Sequence, residues 1–262
     1  MNKKNINHIK QSKQKEKISM ITAYDALMAH IFDGMVDIIL VGDSLSMSFG
    51  GDRDTLGISL ENMIYHTKAV CNGAKTSLVV CDMPFGSYID KKQAIENATK
   101  IYKQTNADAV KIEGGSNRAD IVQELTQNSI AVMGHIGLMP QFVRCEGGYK
   151  VKGKNDNEKE RLLKDAKAIE EAGAFCIVLE GVKTEVAKEI SESLNIPTIG
   201  IGAGKYTDGQ VLVWSDMLGF FDEFQPKFVK KYLDGAGLIK KAVKEYVEDI
   251  KSGNFPAIEN SY

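Results

Sequence analysis

A (β/α)8 TIM barrel is the expected fold, on three features of the chain. The chain has 262 residues, close to the roughly 250 that such a barrel needs. Eight short β-branched runs alternate with longer amphipathic segments, the pattern of parallel strands joined by helical crossovers. Six polar, mostly ionisable side chains, Asp43, Asp82, Lys111, Glu113, His135 and Glu180, stand at or just past the ends of those runs, where parallel α/β proteins collect their chemistry. A doubly wound sheet also fits the length, and the count of eight runs favours closure.

In chain order, strands are expected near Ile18–Ala23, Asp37–Val41, Ser77–Cys81, Ala109–Ile112, Ala131–Gly134, Phe175–Leu179, Pro197–Ile201 and Val211–Trp214. Ser59 opens a helix with Leu60, Met63, Ile64 and Val70 on its inner face. Asp90 caps Lys91–Thr105, with Gln93 placed as in a capping box and Ala94, Ile95, Ala98, Ile101 and Tyr102 as the apolar stripe. A third helix over Asn157–Ala172 ends at Gly173. No linker or break in composition divides the chain, so a single catalytic domain over residues 1–262 is expected, with helical extensions at the N- and C-terminal ends.

Composition narrows the function. With 33 basic against 35 acidic residues there is no global field to draw nucleic acid or an anionic membrane, which leaves a small molecule as partner. No apolar stretch approaches the roughly 18 residues of a membrane span. Met1–Lys17 lacks the apolar core of a secretory signal, so a cytoplasmic location is expected. Cys71, Cys81, Cys145 and Cys176 show no C-x-x-C spacing and read as buried free thiols.

Alternation places chemistry inside the barrel. If Glu113 points inward so does Lys111, two residues away, and by the same parity Val80 accompanies Asp82, Met133 accompanies His135 and Val178 accompanies Glu180. Acids gathered in a partly dry pocket need compensation. Either a divalent ion such as Mg2+, held by the hard oxygens of Asp43, Asp82 and Glu113, or a salt-bridge network with Lys111 supplies it. Asp43 lies in Val41-Gly42-Asp43-Ser44, where Ser44 offers a hydroxyl and an amide to a ligand. His135 reads as a supporting residue that braces a neighbouring acid, and Glu180 as a general base or a solvated carboxylate at a strand end. Gly200–Gly204 reads as an anion-binding turn or as close packing at the barrel mouth. The loops Phe49–Ile58 and Gly137–Asp156 are long and glycine-bearing, hence candidate lids or ordinary mobile connections.

Several segments, in order, resemble the ketopantoate hydroxymethyltransferase family: Thr22-Ala23-Tyr24-Asp25, Leu40-Val41-Gly42-Asp43-Ser44, Asp82-Met83-Pro84-Phe85, Val110-Lys111-Ile112-Glu113-Gly114-Gly115, Gly134-His135-Ile136-Gly137-Leu138, Gly147-Gly148-Tyr149-Lys150-Val151 and Ile199-Gly200-Ile201-Gly202-Ala203-Gly204. The resemblance spans nearly the whole chain. It implies transfer of a hydroxymethyl group from 5,10-methylenetetrahydrofolate to 3-methyl-2-oxobutanoate through a Mg-stabilised enolate. The products are then 2-dehydropantoate and tetrahydrofolate, at the first step of pantothenate biosynthesis. It further implies Mg2+ at Asp43, Asp82 and Glu113, the oxo acid at Asp43, Ser44, Asp82 and Lys111, the base at Glu180, and a homodecamer built as a pentamer of dimers. Two other readings stay open on the residues alone: a Mg2+-dependent oxo-acid lyase, whose cysteine-bearing loop has no counterpart around Cys81 or Cys145, and a non-catalytic barrel that binds a metal and an anion.

Overall fold

Period-two alternation builds the barrel from the inside. The computed structural model describes residues 3–221 and 225–262 and has eight parallel strands: β1 Ile18–Thr22, β2 Ile38–Val41, β3 Leu78–Asp82, β4 Ala109–Glu113, β5 Val132–Gly137, β6 Cys176–Glu180, β7 Thr198–Ile201 and β8 Gly209–Leu212. They pair in sequence order, and β8 closes on β1. Ile18, Met20, Ile38, Leu40, Leu78, Val80, Ala109, Met133, Cys176, Val178, Ile199 and Val211 fill the interior, and those that share a strand lie two residues apart, as the pleat requires. The expected parity of Val80, Met133 and Val178 holds. Ile9, from the helix Ile6–Gln11, is fully buried against the same cluster, so the N-terminal segment plugs the amino end of the barrel.

Local chemistry sets the helix starts. Ser59, Asp90 and Asn155 each accept a hydrogen bond from the backbone N–H three residues ahead, opening the helices Leu60–Gly73, Lys91–Gln104 and Asp156–Glu171. Gln93 completes its box one residue earlier than expected, accepting from the N–H of Ile89. The last of these helices ends at Gly173 with φ +97°, as a left-handed C-terminal residue should.

One strand differs from expectation. β8 spans Gly209–Leu212, not Val211–Trp214, and Trp214 begins a short helix, Trp214–Met217. The cause is a close approach: a Cβ at Gly209 would lie 2.4 Å from the carbonyl oxygen of Ile18, so the strand that closes the barrel starts at a residue with no β-propensity. β5 runs on to Gly137 and brings His135 into the ladder.

The connection from the helix Ala26–Phe32 into β2 and the one into β3 are tied together by Asp33. Its carboxylate accepts from the N–H groups of Lys75, Thr76 and Ser77 and from the Thr76 hydroxyl. Partial burial works against its charge, but those donors outweigh it and hold the carboxyl well below the usual range. A depressed native value adds stability above the unfolded pKa of about 3.9, and that stability is lost as pH falls through the native value. Asp33→Asn is therefore expected to cost about 2 kcal/mol in urea unfolding at pH 7 and progressively less as the pH is lowered below 4. An equal cost at pH 7 and pH 3 would contradict the assignment.

The described chain forms two compact units, one running to Val213 and one from Trp214 to Tyr262. Within the second, the helix Gly235–Ser252 is capped by Asp234, whose side chain accepts from the N–H of Gly237, and Trp214 packs edge-on against Phe220 at 5.0 Å. No helix among the described residues is long and apolar enough to cross a membrane. The cysteines are free, with Cys71, Cys81 and Cys176 buried and Cys145 exposed.

Candidate active site

The carboxyl ends of β2 to β6 bring the sequence-predicted residues together. Asp82, Glu113 and Glu180 are the last residues of β3, β4 and β6, Lys111 and His135 point inward on β4 and β5, and Asp43 lies two residues past β2. Strand register sets Asp82 beside Lys111 and Glu113 beside His135. Asp43, Asp82, Lys111, Glu113 and His135 are buried, whereas the Glu180 side chain keeps one-fifth of its surface open, at 20 %. Gly181 follows with φ +56°, a left-handed turn that lets the chain leave the strand directly after this carboxylate.

A chain of contacts links them. Nζ of Lys111 lies 3.2 Å from Oδ1 of Asp82 and 3.1 Å from Nδ1 of His135. His135 stands between two acids, with Nδ1 3.4 Å from Oε1 of Glu113 and Nε2 3.3 Å from Oε2 of Glu180. The N–H of Asp43 donates to Oδ2 of Asp82 at 3.0 Å. Gly42 lies on the inward face between them: a Cβ there would come within 2.9 Å of Oγ of Ser44 and 3.6 Å of Oδ2 of Asp82, so its absence leaves that space open.

The electrostatics are unbalanced. Four acids, Asp43, Asp82, Glu113 and Glu180, meet two bases, Lys111 and His135. Burial and the charges of Asp82 and Glu113 push the Asp43 carboxyl well up, and burial also raises Asp82 despite Lys111. Burial and the Lys111 ammonium oppose a charge on His135, but Glu113 and Glu180 outweigh them, and its pKa is pushed up to about 9. Glu113 is held low against burial by His135 and Lys111, and Lys111 is held charged against burial by the three acids around it.

Oxygens remain for a further cation. Oδ1 of Asp82 and Oε1 of Glu113 are buried and accept no hydrogen bond, although each lies within ion-pair range of a base. Among the described residues no three carboxylate, imidazole or thiolate groups converge closely enough to enclose a metal ion by themselves. Such a set fits Mg2+, which usually takes one or two protein carboxylates and completes its shell with water and substrate oxygens. A shallow cavity of about 530 Å3, lined by Lys3, Cys71, Val79, Tyr102 and Thr105 among others, lies at the amino end of β3, away from this chemistry.

Three residues of the site were not expected. Gln141, in the turn Pro140–Phe142 after β5, donates through Nε2 to Asp43 at 2.8 Å, and its backbone N–H donates to Glu113 at 3.0 Å. The Tyr88 hydroxyl donates to Oε1 of Gln141. The Tyr24 hydroxyl shares a hydrogen bond of 2.8 Å with Oγ of Ser44. The two candidate lids touch each other where Arg144 pairs with Asp54 at 3.0 Å, and the Tyr149 hydroxyl of the second lies 3.9 Å from Sδ of Met47, just before the first.

The family model described as Ketopantoate hydroxymethyltransferase matches residues 3–258. The chain belongs to the ketopantoate hydroxymethyltransferase family. It is 62 % identical over 260 residues to the 3-methyl-2-oxobutanoate hydroxymethyltransferase of Aliarcobacter butzleri, covering 99 % of this chain and 97 % of that one. It is 58 % identical over 260 residues to the protein of the same name from Helicobacter pylori, covering 99 % and 96 %. The expectation of an enzyme of this transferase family is thus met. Among solved structures, a 2,3-dimethylmalate lyase of the PEP mutase/isocitrate lyase superfamily is similar with a TM-score of 0.62 at 15 % identity, over 97 % of this chain and 89 % of that one. A phosphoenolpyruvate phosphomutase from Streptomyces platensis subsp. rosaceus gives 0.63 at 12 % identity, over 95 % and 88 %. At that identity they support the barrel fold alone.

Proposed function

We propose that this member of the ketopantoate hydroxymethyltransferase family transfers a hydroxymethyl group from 5,10-methylenetetrahydrofolate to 3-methyl-2-oxobutanoate, giving 2-dehydropantoate and tetrahydrofolate, the first step toward pantothenate. The observation that carries the reading is the surplus of buried acid around Lys111 at the open end of the barrel, with Glu180 at its edge. Asp43, Asp82 and Glu113 are the residues assigned to Mg2+, one or two of them as direct ligands and the rest through water, with water and substrate oxygens completing the shell. When bound, that ion supplies a Lewis acid that stabilises negative charge on the keto oxygen of the oxo acid.

The chain's own groups do the rest. Lys111, charged and rigidly held, and the Ser44 hydroxyl, oriented by Tyr24, bind the oxo acid. Glu180 takes the proton from the tertiary carbon. His135, with Nε2 3.3 Å from Oε2 of Glu180, keeps that carboxylate aimed. The carbon freed of its proton forms a bond to the methylene carbon carried by the folate; both C–N bonds to that carbon break, water supplies the hydroxyl oxygen, and one proton of that water together with the one taken by Glu180 passes to the two folate nitrogens as tetrahydrofolate leaves. Assembly into a homodecamer belongs to the same proposal, and the apolar positions Leu238, Ile239, Val243, Tyr246, Val247 and Ile250, which recur at helical spacing along Gly235–Ser252, supply a surface suited to it.

The test is an assay with the oxo acid and methylene-folate, in which 2-dehydropantoate should form only when a divalent metal is present. In parallel, Asp82→Asn is expected to weaken Mg2+ binding about tenfold or more, equivalent to about 1.4 kcal/mol. Unchanged affinity in titration calorimetry would favour the salt-bridge network over a metal.

A further inference from the structure

The amide of Gln141 is the most heavily bonded neutral group at the site. Its side chain and backbone reach three strands. Nε2 donates to Oδ2 of Asp43 at 2.8 Å and to the carbonyl oxygen of Met83, the residue after Asp82, at 3.0 Å. Oε1 accepts from the Tyr88 hydroxyl, and the backbone N–H donates to Oε2 of Glu113 at 3.0 Å. Tyr88 in turn accepts from the N–H of Glu113 at 3.4 Å.

The orientation of the amide is determined. A carbonyl oxygen can only accept, so the nitrogen must face Met83. Oε1 then faces the Tyr88 hydroxyl, and because an amide oxygen can only accept, the hydroxyl is the donor. Gln141 and Tyr88 are both buried, at 5 % and 4 % exposure.

We propose that Gln141 is a positioning residue: its amide and backbone hold Asp43 and Glu113 in the arrangement that receives the divalent metal. The inference rests on the function proposed above. Its chemical logic lies in neutrality. A lysine or arginine at this position would also bind both acids, but it would cancel the negative charge that attracts a cation. A glutamine orders the carboxylates and leaves their charge in place. Residues that orient metal ligands in this way typically contribute 10- to 100-fold to metal affinity.

The test is Mg2+ titration calorimetry on the full chain, comparing the wild type with Gln141→Met, which keeps length and shape but removes the side chain's donors and acceptor. Thermal unfolding verifies that the variant is folded. The expected result is Mg2+ binding weakened about 10- to 100-fold, a raised KM for the oxo acid at limiting Mg2+, and kcat recovered at saturating Mg2+. A purely structural role would lower thermal stability and leave the Mg2+ affinity unchanged, and a folded variant with wild-type affinity overturns the proposal. Tyr88→Phe removes only the hydroxyl that fixes Oε1 and decides the matter if Gln141→Met does not fold. It should weaken Mg2+ in the same direction by a smaller factor, and unchanged affinity again overturns the inference. A wild type that binds no divalent metal would instead remove the function on which the inference rests.

Discussion

Glu180→Gln is expected to lower the rate of proton removal from 3-methyl-2-oxobutanoate by about 10²- to 10⁴-fold, the usual contribution of a general base. The substitution preserves size and shape at a side chain that is one-fifth exposed, so the fold should be unaffected. His135 retains Glu113 as a partner for Nδ1 at 3.4 Å, and the acids assigned to the metal are untouched. Oxo-acid binding in the presence of Mg2+ should therefore persist while exchange of the tertiary hydrogen with solvent deuterium stops. Undiminished exchange would move the base elsewhere, and His135, the nearest group able to carry a proton, would be the next to substitute.

Lys111→Met is expected to have the largest effect on stability. Lys111 is buried among Asp82, Glu113 and Asp43, which hold its proton against the cost of burial. Removing one partner of a buried pair leaves uncompensated charge and typically costs about 3–5 kcal/mol. Part of that cost is relieved if one of the acids takes up a proton, which Asp43 is already inclined to do. A divalent cation offers a second relief, because its attraction to the acids grows once the ammonium is gone. Urea unfolding in a chelator should thus show the full loss, and unfolding in excess Mg2+ a smaller one. Equal losses under both conditions would mean that no cation enters this cluster. Catalysis should fail in either case, because the positive charge that binds the oxo acid has been removed.

Much of this was legible in the sequence because the signals are local. Ser59 and Asp90 cap helices through bonds to residues three positions on, and the alternation in β3 to β6 is a property of each strand by itself. Ionisable groups at the ends of apolar runs stand out wherever they occur, so Asp43, Asp82, Lys111, Glu113, His135 and Glu180 could be found without knowing their partners. Gln141 could not. It is uncharged, and its partner Asp43 is 98 residues away. The bond from Tyr88 to Gln141 spans 53 residues, and that between Tyr24 and Ser44 spans 20. Such links exist only after the strands have been set side by side. β8 was misplaced for a related reason: Gly209 is required by the approach of Ile18, and a strand beginning Gly-Gln carries no apolar signal. Nor did any change in composition mark the division at Val213.

A cation-requiring acid cluster at the barrel mouth is proposed to make the tertiary carbon beside the keto group give up its hydrogen. The most direct measurement is NMR of 3-methyl-2-oxobutanoate in deuterated water with the full chain and no folate. The expected result is loss of the tertiary C–H signal that needs both enzyme and Mg2+ and stops on chelation. A hydrogen that stays in place with enzyme and Mg2+ present, while the oxo acid is bound, would contradict it.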